Sequence, residues 1–275
     1  MNKKIIILFA LFISLNQASF AGIFSITEKQ EIKVGQDASK QVDKTNPILK
    51  DDEINDYISN LGEKLVGYSD RENLKYRFKI INTKDINAFA LPGGYVYIYR
   101  GLIESADNES ELVGVIAHEI GHIDRRHSVK QIEKAKKAQT GFLVAGIAMS
   151  IAGFGGTNTV LNGAELVTQG VFLKFSRDME READQTATEL MYSAGWDPKG
   201  MVTFFEKLAK KGNSAITFLS THPSPQERKE NVDNLIDELV DGKKKLKKDS
   251  DEFHRIKAEL AEIPLPKKKI VSPYR

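Results

Sequence analysis

The chain contains no cysteine. That excludes a disulfide framework, a thiolate metal site and a lipid-modified N-terminal cysteine, so any bound metal must rely on histidine, aspartate, glutamate or water. Histidine itself is scarce, with five in 275 residues. The formal net charge of +2 is close to balance and gives no reason to expect a nucleic-acid partner. Long apolar runs are missing as well. Ile5 to Leu15 and Phe142 to Phe154 both fall short of the roughly 20 residues that cross a bilayer comfortably. No internal repeat stands out, and the C-terminus carries no tetratricopeptide pattern. What remains is ordinary globular composition, 41% hydrophobic and 28% charged, in a chain long enough for one large or two small domains.

The N-terminus has the layout of an export signal. Lys3 and Lys4 precede the apolar run, and Ser19-Phe20-Ala21 offers small residues at both recognition positions of a cleavage site. Residues 1–21 are therefore expected to be a signal peptide, with the mature protein exported, periplasmic and starting near Gly22. Basic residues cluster late, at Lys243 to Lys248 and Lys267 to Lys269. They suggest a solvated tail over 241–275, with contact to an anionic membrane surface as the alternative. Phe142 to Phe154 reads as a packed helix before a Gly155-Gly156 loop, with a lid or membrane-touching segment as its rivals.

Between these ends the pattern alternates in period. Ser25 to Thr45 and Ile48 to Tyr68 have helical spacing, the second through Ile54, Tyr57, Ile58, Leu61 and Leu65. Tyr76 to Asn82 alternates as a strand, Asn87 to Gly94 is turn-rich, and Tyr95 to Tyr99 puts tyrosines on one face and aliphatics on the other. A helix starts near Asn108, where Asn108 and Glu111 resemble a capping box and Leu112, Val113, Ile116 and Ile120 form its buried stripe. Ser128 with Gln131 resembles the cap of another helix. Mostly helical with a small sheet, the fold class is α+β, and the folded domain is expected over 22–240.

On the helix after Asn108 lies His118-Glu119-Ile120-Gly121-His122. Histidines at i and i+4 stand about 40° apart around a helix, so both imidazoles can reach one metal ion. Glu119 can reach water on that metal. A catalytic zinc needs a third protein ligand and one open position. Ser176 to Asp184 supplies a candidate, because Glu180 and Asp184 are again i and i+4 on one face. Glu180 can ligate while Asp184 accepts the distal N–H of a ligating histidine. Glu182 points roughly 200° away from Glu180. The plain alternative for this segment is a solvated charged helix.

His118-Glu119-x-x-His122 followed by Glu180-x-x-Ala183-Asp184 resembles the HtpX- and BepA-like zinc endopeptidases, a family that includes the CAAX prenyl endopeptidases. The resemblance extends to Asn87-Ala88-Phe89-Ala90-Leu91-Pro92-Gly93-Gly94, to Phe175-Ser176-Arg177, and to Thr221-His222-Pro223 with Arg228. It implies one zinc ion held by His118, His122 and Glu180, with Glu119 as general base. His222 is then the candidate for steadying the tetrahedral oxyanion. A transient fourth ligand that keeps the enzyme latent, or a mere cap before Pro223, are its alternatives. His127, about 140° beyond His122 on an extended helix, reads as structural, His254 as exposed and Trp196 as a packing anchor. Those families continue into helical repeats or are embedded in membrane, whereas this sequence is expected to offer only a signal, one short apolar stretch and a lysine-rich tail, so substrate does not carry over. Expected partners are unfolded or extended polypeptides pairing with an exposed edge of the Tyr95–Tyr99 strand, with possible peripheral contact to membrane or envelope proteins. Manganese can replace zinc in such a ligand set, and a chaperone with a silent zinc site is the rival function.

Overall fold

The computed structural model describes residues 25–138, 175–211, 218, 222, 225–239 and 244–266. The expected signal at 1–21, the apolar stretch Phe142 to Phe154 and Lys267 to Lys269 lie outside them.

Side-chain caps decide where the first helices begin. The Thr27 hydroxyl accepts from the Gln30 N–H while the Gln30 side chain accepts from the Thr27 N–H, a reciprocal pair that opens α1, Glu28–Thr45. Asp51 accepts from the Ile54 N–H and opens α2, Asp52–Val66. That helix starts later than its apolar spacing suggests, because Ile48 bridges Ile81 and the Leu49 N–H donates to Ile80 O. Its stripe of Ile54, Tyr57, Ile58, Leu61 and Leu65 is buried.

The sheet has the order β1-β3-β2. β1, Arg77–Ile81, runs parallel to β3, Tyr95–Tyr99, and β2, Ala88–Leu91, runs antiparallel to β3. Sequence alone suggests only a turn over Asn87 to Gly94, but the tight turn is confined to Pro92-Gly93-Gly94. Gly93 and Gly94 take φ of 75° and 90°, the left-handed region where glycine is unstrained. A Cβ on Gly94 would also lie 2.6 Å from Lys75 O. β3 is thus the central strand and has no free edge, which overturns the expectation that a peptide could pair with it. β1 and β2 are the edge strands, and at the β2 edge Ala88 and Ala90 are buried. Since the Tyr99 N–H donates to Asn87 O, strand alternation turns the main-chain groups of Ala88 and Ala90 away from β3. The two faces of β3 divide as the sequence implies, with Val96 and Ile98 in the main core and Tyr95 and Tyr97 in a separate cluster with Ala38.

After the short helix α3, Arg100–Ser105, comes α4, Glu109–Asp124. Asn108 accepts from the Glu111 N–H, but the Glu111 carboxylate returns to the Asp107 N–H, one residue earlier than a capping box requires. Every residue of α4 from Glu109 to Ile123 is buried, as befits a helix packed on all sides. Ser128 caps nothing: helix resumes at 127 and runs to 138, following a turn at Arg125 and Arg126. The remaining helices are α5, Arg177–Ala194, α6, Lys199–Lys211, α7, Pro225–Leu239, and α8, Asp251–Glu262. At Gly121 a Cβ would lie 2.7 Å from Ala183 O, so only hydrogen there lets α4 and α5 approach this closely. No helix of the described residues is long and apolar enough to cross a membrane.

The lysine-rich stretch is not a free tail over its described part. Ser250 caps α8, and Phe253, Ile256 and Leu260 are fully buried in the main core. Lys247 bridges Trp196, and Arg100 donates to Ile263 O and Ala261 O. Charged neighbours conceal this short apolar stripe from a composition-based reading. His254 is exposed and pairs with Asp249, while Trp196 is buried with its indole N–H donating to Glu109. Replacing Phe253 with alanine is expected to cost about 3–5 kcal/mol in urea unfolding, against under about 0.5 kcal/mol for a residue of a solvated tail.

Candidate metal centre

α4 presents His118 and His122 on one face, and α5 presents Glu180 and Asp184 opposite them. The two imidazoles meet at 3.0 Å between their Nε2 atoms. Glu180 Oε2 lies 3.5 Å from His118 Nε2, and Glu180 Oε1 lies 3.6 Å from His122 Nε2. His222 joins them, with Nδ1 3.2 Å from His118 Nε2 and 3.1 Å from Glu180 Oε1. One donor atom from each of His118, His122, Glu180 and His222 fits within 4.8 Å of all the others, and all four residues are buried. Three imidazoles and a carboxylate gathered this tightly form a nitrogen and oxygen donor set of the kind that holds zinc.

Around the donors lies a bracing layer. Asp184 Oδ1 is 2.9 Å from His118 Nδ1, the nitrogen that faces away from the group. Arg228 on α7 grips Asp184 through two hydrogen bonds, Nε to Oδ2 at 2.8 Å and Nη2 to Oδ1 at 2.6 Å. Its Nη1 lies 3.1 Å from Glu180 Oε2, and its guanidinium stacks 4.1 Å over Phe205. Phe175, just before the Ser176 cap of α5, stacks on His122 at 3.9 Å. His127 and Glu182 lie on the far side of His122: His127 Nδ1 is 2.8 Å from His122 Nδ1, and Nε2 is 3.0 Å from Glu182 Oε2. Sequence reasoning gave Arg228 and Phe175 no role. The available signal was only their place within matching blocks, since an arginine on a later helix advertises no partner.

The charges follow from this packing. Burial would raise the Glu180 pKa, but His222 and Arg228 outweigh it and hold the carboxyl well below its usual range. Arg228 does the same for Asp184 against its own burial. Burial and Arg228 press the His118 pKa down, yet Asp184 and Glu180 prevail and raise it to about 9. His122, by contrast, is driven well below its ordinary value by burial and by His118. Burial raises Glu119. Glu119 is fully buried, neither of its oxygens has a hydrogen-bond partner among the described residues, and Oε1 lies 3.4 Å from His222 Nε2. Among the described residues, three buried carboxylates (Glu119, Glu180 and Asp184) thus face one permanent cation, Arg228. A divalent ion among the donors would balance them, so the residues fit a metal.

Comparison with known proteins identifies the family of the chain. A protein named putative beta-barrel assembly-enhancing protease from Vibrio cholerae is 34% identical over 214 residues, covering 74% of this chain and 43% of that protein. The beta-barrel assembly-enhancing protease of Escherichia coli K12 is 31% identical over 220 residues, 76% of this chain and 44% of its own length. A mitochondrial metalloendopeptidase, OMA1 of Schizosaccharomyces pombe, is 30% identical over 216 residues, 76% of this chain and 61% of its own. The match thus spans less than half the length of the two bacterial relatives. The sequence profile of peptidase family M48 matches residues 52–236, a stretch holding every donor, brace and buried carboxylate of the centre, and the chain belongs to that family.

Proposed function

We propose that the protein is a zinc-dependent endopeptidase that hydrolyses exported polypeptides, misfolded or envelope-associated, in the periplasm. The observation that carries this reading is Glu119, a buried carboxylate beside the donor group without a hydrogen-bond partner among the described residues. A purely structural metal site gives such a residue no purpose, and burying a carboxylate without hydrogen bonds is costly. His118, His122 and Glu180 would hold the ion, with Asp184 fixing the His118 tautomer. When bound, zinc lowers the pKa of water from about 15.7 towards 7 and polarises a scissile carbonyl. Glu119 then takes the proton of the attacking water and delivers it to the leaving amine. Its burial-raised pKa suits a group that must both accept and return a proton.

The proposed substrates are unfolded or extended segments, cut with modest sequence preference; the Tyr95–Tyr99 strand, paired on both sides, does not hold them. The exported setting rests on the signal-like residues 1–21, and the envelope substrates on the names of the two bacterial relatives.

For His222 the geometry favours the fourth donor over the oxyanion-binding group, because its Nδ1 sits as close to Glu180 and His118 as the other donors sit to each other. A fourth protein donor occupies the position that catalytic zinc keeps open, so this arrangement is latent. Replacing His222 with alanine is expected to raise cleavage of an unfolded protein such as casein. A fall would assign it to the oxyanion, and no change would leave it a cap.

Glu119→Gln is expected to retain zinc while casein cleavage falls about 10²–10⁴-fold. Chelator should abolish wild-type cleavage. A wild type inert towards every unfolded substrate, His222→Ala included, would favour the rival chaperone with a silent site. Metal uptake should also release a proton near neutral pH. Metal-free His118 holds its proton up to about 9, whereas ligation requires neutral imidazole. Zinc affinity should therefore climb with pH, by up to about tenfold per unit, and level off near pH 9. Calorimetry in buffers of different ionisation enthalpy reads this directly, and a flat affinity from about pH 7 to 9 would contradict it.

A further inference from the structure

We infer that His127 is a positioning residue for His122, fixing which ring nitrogen carries the proton and thereby aiming the other at the metal, with Glu182 anchoring it from the surface. The inference rests on the metal-centre reading above. His122 points Nε2 into the donor group, 3.0 Å from His118 Nε2. That nitrogen must offer a lone pair to a cation, so Nδ1 must carry the ring proton. Nδ1 lies 2.8 Å from His127 Nδ1. Two ring nitrogens at this distance share one proton, and His127 Nδ1 must therefore accept. His127 then carries its own proton on Nε2, which lies 3.0 Å from Glu182 Oε2, an oxygen also approached by Lys130 Nζ at 3.3 Å. This assignment satisfies both shared contacts, and reversing either proton leaves two donors or two lone pairs face to face. His118 is braced directly by the buried Asp184; His122 receives the equivalent service through a neutral ring whose carboxylate is half-exposed.

A second observation points the same way. Arg126, immediately before His127, has φ of 53°, and no other non-glycine residue among those described has positive φ. Such a conformation persists where surrounding structure enforces it, and it collects at functional sites. Here Arg126 Nε donates to Glu31 at 2.9 Å and Nη2 to Ile26 O at 2.7 Å. Those bonds hold a turn that ends α4 and returns the chain so that the fully buried His127 ring lies 5.0 Å from the His122 ring.

The test is zinc affinity of the full chain, measured by chelator competition, beside thermal unfolding of the metal-free protein. His127→Phe keeps volume but removes the acceptor, and zinc should bind about 10–100-fold more weakly. His127→Asn returns a carbonyl oxygen near the Nδ1 position and should restore affinity to within about threefold of wild type, a rescue that simple packing would not produce. Equal affinity in His127→Phe, or an Asn variant as weak as the Phe variant at equal metal-free stability, overturns the inference. Should the Phe variant fail to fold, Glu182→Ala at the half-exposed end decides. A several-fold loss of affinity supports the proposal, and wild-type affinity overturns it. A wild type that takes up no zinc ends the metal-centre reading and this inference together, whereas a zinc-binding wild type matched by His127→Phe ends the inference alone.

Discussion

The centre depends on how closely two helices come together. Backbone meets backbone where Gly121 faces Ala183, at a separation no β-carbon would permit. Gly121 lies one residue before His122, and Ala183 lies one residue before Asp184. The contact therefore sits beside a candidate donor of one half and the brace of the other. Any side chain at this point would push apart the imidazoles of α4 and the carboxylates of α5. The glycine inside the His118–His122 motif is thus a packing requirement between two helices, and the site inherits its geometry from that packing.

Bringing ionised groups into such an interior is costly unless they compensate one another. Arg228 is the fixed part of the compensation. It reaches both Asp184 and Glu180 from α7 and is itself covered by the Phe205 ring on α6. The rest of the fold keeps α4 still while this occurs. Glu109 in its first turn binds Tyr57 of α2, Trp196 and Ser250, so the C-terminal segment is tied to the start of the active helix. Glu31 of α1 reaches Arg71, Arg126 and the Gly93 N–H, tying the end of α4 to the turn between β2 and β3. One buried carboxylate secures each end of the helix.

Much of this was legible in residue spacing because helical geometry is local. The i, i+4 pairs place His118 with His122 and Glu180 with Asp184 without knowledge of anything distant, and the Asn108 cap is equally short-range. The parts that failed are those that distance decides. Strand order cannot be read from alternation, and β3 proved central because β1 and β2 flank it. The tail concealed Phe253, Ile256 and Leu260 among lysines and glutamates, since a three-residue stripe is visible only with a surface to pack on. His127 stays out of the donor group, as its sequence reading holds, but the angular argument behind that reading presumes an unbroken helix and so misses its contact with His122. α4 ends at Asp124, and the turn at Arg126 resets the direction. Arg228 could not be assigned because nothing local identifies the partner of an arginine.

The account stands on one cation shared by α4 and α5. Diffraction from zinc-loaded crystals on either side of the zinc absorption edge locates that ion without reference to activity. The prediction is one strong anomalous peak about 2.0–2.2 Å from His118 Nε2, His122 Nε2 and a Glu180 oxygen. A peak elsewhere, or no peak with those three side chains well ordered, would contradict it.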